Sequence, residues 1–246
     1  MLESATTQKS PLLIGLRAAR ANLLPGLIVQ ALMLVMVLLY YLVPAAKPTF
    51  NTLATWKQSY GFAFSMLSAV LAGALAPELL KIICFQRGRP TKQNARTLLI
   101  STIMWAGQGA LVDAFYRLQS FLFGNELNVR TIATKVAVDQ FIYNPLLPGL
   151  LNAGTYYLLA KGFTAHNFRY VLSWHFYKHH IIPVLIATWG VWIPVVCAIY
   201  ALPPLFQFPL FSLALTFWAT MLAWIGEQSK AARHTPAQSN QPPVLL

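Results

Sequence analysis

Six apolar stretches, residues 23–43, 60–80, 97–123, 132–160, 181–203 and 207–226, constrain this chain more than any other feature. A helix needs about 20 apolar residues to cross a hydrocarbon core about 30 Å thick, and each stretch reaches that length. The expected fold class is all-α, a polytopic transmembrane helix bundle of about six spans. Composition points the same way: of 246 residues, 57% are hydrophobic and only 10% charged, with a mean hydropathy of +0.55. A water-facing surface ordinarily needs about 25% charged residues, and this chain cannot supply them.

The net charge of +12 raises the question of a nucleic-acid partner. The basic residues, however, lie in short clusters between apolar runs, without a nucleic-acid motif, so none is expected. Membrane topology accounts for them better. With the N-terminus inside, one side receives Lys9, Arg17, Arg20, Lys81, Arg87, Arg89, Lys92, Arg96, Lys161, Arg169, Lys178, Lys230 and Arg233. The other receives Lys47, Lys57, Arg117, Arg130 and Lys135. Positive residues favour the cytoplasm-equivalent side, so both termini are expected there.

The first hydrophobic run is too long for a signal peptide and reads as a retained anchor. Residues 1–10 and 231–246 are polar or proline-bearing and read as disordered tails flanking a single domain over 11–230. Residues 163–180, FTAHNFRYVLSWHFYKHH, are aromatic and basic, which suits an interfacial helix. Cys84 and Cys197 lack partner-like spacing and read as free thiols in apolar surroundings. His175, His179 and His180 tempt a metal reading, but no carboxylate or thiolate neighbours complete a ligand set, so no metal or other cofactor is expected. Nucleophile and phosphate-loop motifs are absent too, and no enzyme activity is expected.

Charged groups within spans cost roughly 2.5–3.5 kcal/mol each at a helix centre on insertion scales, so each needs a reason. The candidates are Glu78, Asp113 and Asp139, with the polar neighbours Gln108, Gln140, Asn144 and Asn152. Asp139 follows Lys135 by four residues, on one helix face. Two readings stay open there: an ion pair with Lys135 near the interface, or a place in an internal polar cavity. Glu78 stands three residues before Lys81, which favours a boundary ion pair, and Asp113 stands four before Arg117. Gln140 and Asn144 form a further pair at helical spacing.

The fourth span breaks its own helix signal. Pro145 removes a backbone donor and frees the carbonyl of Phe141, and Pro148 does the same to Asn144. Freed carbonyls at membrane depth need protein or water partners, which predicts a kinked helix beside a polar interior. Ala69/Gly73 and Gly149/Ala153 are small pairs suited to close helix packing.

The run K-V-A-V-D-Q-F-I-Y-N-P, Lys135 to Pro145, resembles the K-x-x-x-D-Q-x-x-x-x-P signature of the Mpv-seventeen and peroxisomal-membrane-protein-twenty-two family. Gly109 with Phe115-Tyr116-Arg117, Trp189-x-x-Trp192-x-Pro194, Trp218, and Gly73 with Glu78 are similar to further family elements in the same order. The likeness covers about residues 60–226. Ala74, Ala110, Ile193, Cys197 and Tyr200 depart from the family pattern, and the first span has no counterpart. The resemblance implies a compact bundle in an inner or organellar membrane, weakly selective channel behaviour, and pore-lining roles for Asp139 and Gln140.

Together these readings lead to a channel-like membrane protein. Lys135, Asp139, Gln140, Asn144, Asp113 and Glu78 would line a polar, cation-favouring path shaped by Pro145 and Pro148. The alternative is a non-conducting membrane scaffold or assembly partner whose polar residues only bridge helices. Expected partners are the lipid bilayer and ions or small metabolites, with a homo-oligomer compatible. A bacterial plasma membrane is favoured over an organelle inner membrane, because of the extra first span.

Overall fold

A computed structural model describes residues 10–233, with side chains to residue 228. Among the described residues the chain is helical, without strands. In order it forms α1 (Pro11–Ala21), α2 (Leu23–Leu42), α3 (Lys47–Val70), α4 (Ala76–Leu80), α5 (Lys92–Phe123), α6 (Val129–Val138), α7 (Asn144–Leu146), α8 (Pro148–Lys161), α9 (Ala165–Val171), α10 (Trp174–Phe176), α11 (Ile182–Tyr200) and α12 (Pro204–Arg233). Five continuous helical paths are long and apolar enough to cross a membrane: Leu23–Leu42, Pro44–Phe85, Lys92–Phe123, Trp174–Tyr200 and Pro204–Gln228. The chain is thus a helical bundle with multi-pass membrane character. Between α7 and α8, Leu147 departs from ideal helical angles at φ −117°, ψ −73°, while its N–H still bonds Tyr143 O and its carbonyl accepts from Leu151 N.

Proline dictates where these helices widen. Turns of π type, in which an N–H bonds the carbonyl five residues back, cover Leu71–Leu75, Asp139–Tyr143 and Tyr177–Ile181. Each ends two residues before a proline: Pro77, Pro145 and Pro183. The pyrrolidine ring clashes with the carbonyl four residues earlier, and one extra residue in the turn moves that carbonyl aside. A fourth π turn, Lys81–Phe85, closes the α4 path without a proline.

The core sits where α2, α3, α11 and α12 meet, around Val29, Met33, Phe50, Val195, Ile199 and Phe208. Pro194 lies inside α11 and leaves the carbonyl of Gly190 without its helical donor. Gln30 of α2 supplies the replacement, with Nε2 donating to Gly190 O at 2.8 Å. Gly26 lets the two helices touch, since a Cβ there would lie 2.4 Å from Val191 Cγ2.

Three expectations need correction. The interfacial segment over 163–180 is not one helix. Only α9 stands apart, while residues from Trp174 run into α11. Ser173 causes the restart: its hydroxyl accepts from Phe176 N at 3.1 Å and donates to Tyr170 O at 2.6 Å. Phe176 and Ile181 are then drawn into a second core with Leu158, Val171 and Leu185. The N-terminal tail, placed at 1–10, loses Ser10, whose hydroxyl accepts from Leu13 N and caps α1. The C-terminal tail, placed at 231–246, loses 231–233 to α12. The remainder of both tails lies outside the described residues.

Candidate functional site

Polar side chains recur along one buried face of α5. Asn94, Ser101, Gln108, Asp113 and Gln119 are all buried, together with Trp105, Gly109, Val112 and Tyr116. The polar members are spaced seven, seven, five and six residues apart, which puts Asn94, Ser101, Gln108 and Gln119 on one stripe and Asp113 about 100° round the helix from Asn94. From Asn94 to Gln119 the helix rises about 37 Å, enough to cross a hydrocarbon core of about 30 Å. Thr91 starts this helix in register through a capping box with Asn94.

Each polar group on the stripe meets a different neighbour. At one end, Asn94 Nδ2 donates to Glu78 Oε1 at 2.5 Å, and Lys81 Nζ lies 3.0 Å from Glu78 Oε2. The boundary pair of Glu78 and Lys81 is therefore present, with α5 joined to it. Gln108 and Asn152 of α8 exchange amide hydrogen bonds at 2.9 and 3.4 Å.

Asp113 is the centre of a buried ionic cluster. Lys57 Nζ approaches its Oδ2 at 2.5 Å and also donates to Ser65 Oγ at 2.8 Å and Gly61 O at 3.1 Å. Ser65 donates to the same Oδ2 at 3.0 Å. Arg117 Nε reaches Oδ1 at 3.3 Å while its guanidinium lies over the Phe62 ring. Gly61 makes the cluster possible: at φ +52° it breaks α3 and turns its carbonyl toward the ammonium. Gly109 lets α5 approach, since a Cβ there would lie 2.5 Å from Ser65 O.

One and a half turns further along α5, Gln119 Nε2 donates to Tyr200 OH and to Lys135 O, both at 2.9 Å. Tyr200 donates in turn to Asp139 Oδ2 at 2.7 Å, and Gln140 Nε2 donates to Asp139 Oδ1 at 2.8 Å. Asp139 is 6% exposed, and its carboxylate takes both bonds from neutral donors. The ion pair with Lys135 is not formed. Lys135, 2% exposed, extends the other way, with Nζ 3.3 Å from Asn125 Oδ1 and 5.7 Å from the Tyr200 ring centre.

The π turn explains the remaining differences in this segment. Gln140 bonds Asp139 and not Asn144, because the wider turn shifts one residue against the next. The N–H of Asn144 reaches back to Asp139 O, so the carbonyl of Gln140 also lacks a helical donor. Trp189 Nε1 donates to it at 3.1 Å. The Asn144 carbonyl, expected to be freed by Pro148, lies against Gly149, where a Cβ would come within 2.9 Å.

Lys57, Ser65, Gln119 and Tyr200 were not among the sequence candidates. Sequence pattern places Lys57 among the loop charges, yet it is 4% exposed. The spacing Lys57, Gly61, Ser65 places all three on one helical face, which is the signal that could have found it. The acids are balanced: Glu78 by Lys81, Asp113 by Lys57 and Arg117, and Asp139 has buried Lys135 a turn away. A cation-favouring field from the carboxylates alone is therefore not what the interior presents. Four buried polar atoms on or beside the stripe have no hydrogen-bond partner among the described residues: Ser101 Oγ, Trp105 Nε1, Gln119 Oε1 and Gln140 Oε1.

The histidines form a different arrangement. His175 and His179 stack at 4.1 Å, with His179 Nδ1 2.8 Å from His175 O. Among the described residues, no group of three or more His, Cys, Asp or Glu is placed to hold a metal ion. Compared with protein-family models, curated proteins and solved structures, the chain matches none of them.

Proposed function

We propose that this chain is a six-span membrane protein whose α5 face forms a narrow, charge-balanced polar path for small polar solutes or ions. The α6–α8 segment serves as the sixth span, kinked at Leu147, and its Asp139 and Gln140 face the path. The observation that carries this reading is the set of partnerless buried atoms at Ser101, Gln119 and Gln140 along a stripe long enough to cross the bilayer. Buried polar atoms without protein partners are costly in hydrocarbon, and water or a passing solute would satisfy them.

Reconstitution into proteoliposomes tests it. Flux of small ions or polar metabolites should fall at least several-fold in Asp139→Ala at equal folded yield. Flux equal to wild type, or no flux above empty vesicles, removes the assignment. The second reading, a non-conducting scaffold, draws on the way each polar group of α5 ties a different helix. It expects Asp139→Asn to lower folded yield with no flux to lose.

Orientation follows from the charges. With Lys57 and Lys135 drawn inward, the side opposite the termini keeps Lys47, Arg117 and Arg130, which sharpens the bias toward termini inside. The Lys135–Pro145 run supports distant kinship with the Mpv-seventeen and peroxisomal-membrane-protein-twenty-two family. A bacterial plasma membrane remains our preferred location.

A further inference from the structure

Between Phe85, which closes the α4 path, and the second turn of α5, four cations fall within ten residues: Arg87, Arg89, Lys92 and Arg96. All four are exposed. Their turn joins Pro44–Phe85 to Lys92–Phe123, two helices of membrane-spanning length, so it lies at a membrane face. It is tight: Arg87 and Gly88 both take left-handed angles, at φ +54° and +72°. Gly88 N donates to Ile82 O at 2.9 Å and Arg89 N to Gln86 O at 3.0 Å, which fixes the backbone of both arginines against the helix end. Lys92 and Arg96 stand four apart on α5 and share one outward face.

Neighbouring side chains mark the depth. Ile83, 65% exposed, and Leu99, 64% exposed, face outward on the two helices that the turn joins. Phe85 meets Trp224 of α12 edge to face, with ring centres 4.9 Å apart. Exposed aliphatic residues, then aromatic rings, then cations is the order met on passing from hydrocarbon to headgroups. The four cations thus stand at the level of the lipid phosphates.

The chain cannot balance them by itself. Of its six acidic residues, Glu78 is taken by Lys81 and Asn94, and Asp113 by Lys57 and Arg117. Asp139 is buried beneath Tyr200 and Gln140, and Glu126 lies beyond the opposite end of α5. Glu227 on α12 and Glu3, outside the described residues, remain: two acids against four cations. Among the described residues, none of the four cations joins an ion pair. The positive-inside bias accounts for the side on which the turn lies, not for the counter-charge it meets there.

We propose that this cationic turn binds the phosphodiester headgroup of an anionic membrane phospholipid of the phosphatidylglycerol type. Three of the four cations are arginines, whose planar fork matches two phosphate oxygens at once, and Lys92 adds a point charge. Ile83 and Leu99 would meet the acyl chains of the same lipid. A zwitterionic headgroup brings its own ammonium and would leave the excess charge in place. The surface faces outward and binds lipid whether or not the polar path conducts.

Native mass spectrometry of the delipidated full chain, titrated with dioleoylphosphatidylglycerol, dioleoylphosphatidylcholine and chainless glycerol phosphate, tests the proposal. Each cation near an anionic headgroup is worth about fivefold in affinity, so two engaged together give upward of about tenfold. Wild type should therefore prefer phosphatidylglycerol to phosphatidylcholine by at least about tenfold, with glycerol phosphate the weakest. Arg87→Gln, Arg89→Gln, Lys92→Gln and Arg96→Gln together should erase most of that preference. The control, Arg17→Gln, Arg20→Gln, Lys161→Gln and Arg169→Gln, removes the same charge from the same side and should retain it. All eight side chains are exposed, so circular dichroism should show both variants folded. Equal losses in the two variants would mean that net charge alone attracts the lipid, which overturns the proposal. So does a wild type without preference, or glycerol phosphate binding as tightly as the lipid.

Discussion

Tyr200 donates its hydroxyl hydrogen to Oδ2 of Asp139 at 2.7 Å, joining α11 to the π turn that follows α6. The Tyr200 hydroxyl oxygen accepts from Gln119 Nε2 at 2.9 Å, so three helices meet at one phenol. Asp139 is held in place by this bond and by Gln140, with Lys135 turned away toward Asn125.

Tyr200→Phe removes the bond while keeping the ring that packs on Tyr116. Asp139 Oδ2 would then be a buried acceptor without its donor, a loss of about 1–3 kcal/mol. Thermal unfolding in detergent should show a clear fall in midpoint. Asp139→Ala should cost less in the Tyr200→Phe background than alone, because the shared bond has already gone. Additive effects would show that the two side chains do not act as a unit.

Lys57→Met should be among the most damaging substitutions. It leaves Asp113 buried with Ser65 and the partly exposed Arg117 as remaining partners, and breaking a buried pair typically costs about 3–5 kcal/mol. Replacing both members, Lys57→Met with Asp113→Leu, removes the unpaired charge and should recover part of the loss. Denaturant or thermal unfolding of the three variants provides the cycle.

The sequence made the apolar helices legible because each is long and most are bounded by charge, the last two being separated only by Pro203 and Pro204. It also exposed the 135–151 segment as unusual. What it hid were bonds set by register. Lys135 and Asp139 lie four apart and look paired, but the turn beginning at Asp139 carries the carboxylate toward Tyr200, sixty-one residues away in sequence. Lys57 looked like a loop charge because its span was placed from residue 60, and only the break at Gly61 shows why the helix starts earlier. Counting by α-helical register points to the Phe141 carbonyl at Pro145, and the π turn leaves that of Gln140 without a helical donor as well. In each case local spacing was right, and long-range packing chose another partner.

Gly107 and Gly109 should respond in opposite ways to alanine. A Cβ at Gly107 meets nothing within 4 Å, and alanine there removes a helix-weakening glycine, a gain of about 0.5–1 kcal/mol. A Cβ at Gly109 would lie 2.5 Å from Ser65 O, a backbone atom that cannot move alone. α3 and α5 would have to separate, stretching the Lys57–Asp113 cluster, at about 1–3 kcal/mol. Paired melting curves check the contrast.

Trp189 and Pro145 should be coupled through a carbonyl that neither contains. The indole donates to Gln140 O at 3.1 Å because the helix has no N–H to offer it: Asn144 bonds Asp139, and the next residue is proline. Trp189→Phe keeps much of the ring packing on Phe141 but leaves Gln140 O unpaired, an expected loss of about 1–3 kcal/mol. Pro145→Ala restores an N–H five residues after Gln140, where the π register can use it directly. In that background the Trp189→Phe loss should shrink to the packing difference alone. Thermal unfolding of the two single variants and the double variant measures the coupling. If the two substitutions prove additive within about 0.5 kcal/mol, the indole is not substituting for the missing backbone donor. Gln30→Leu and Pro194→Ala provide an independent pair by the same reasoning, since Gln30 donates to Gly190 O, the carbonyl that Pro194 leaves without a helical donor.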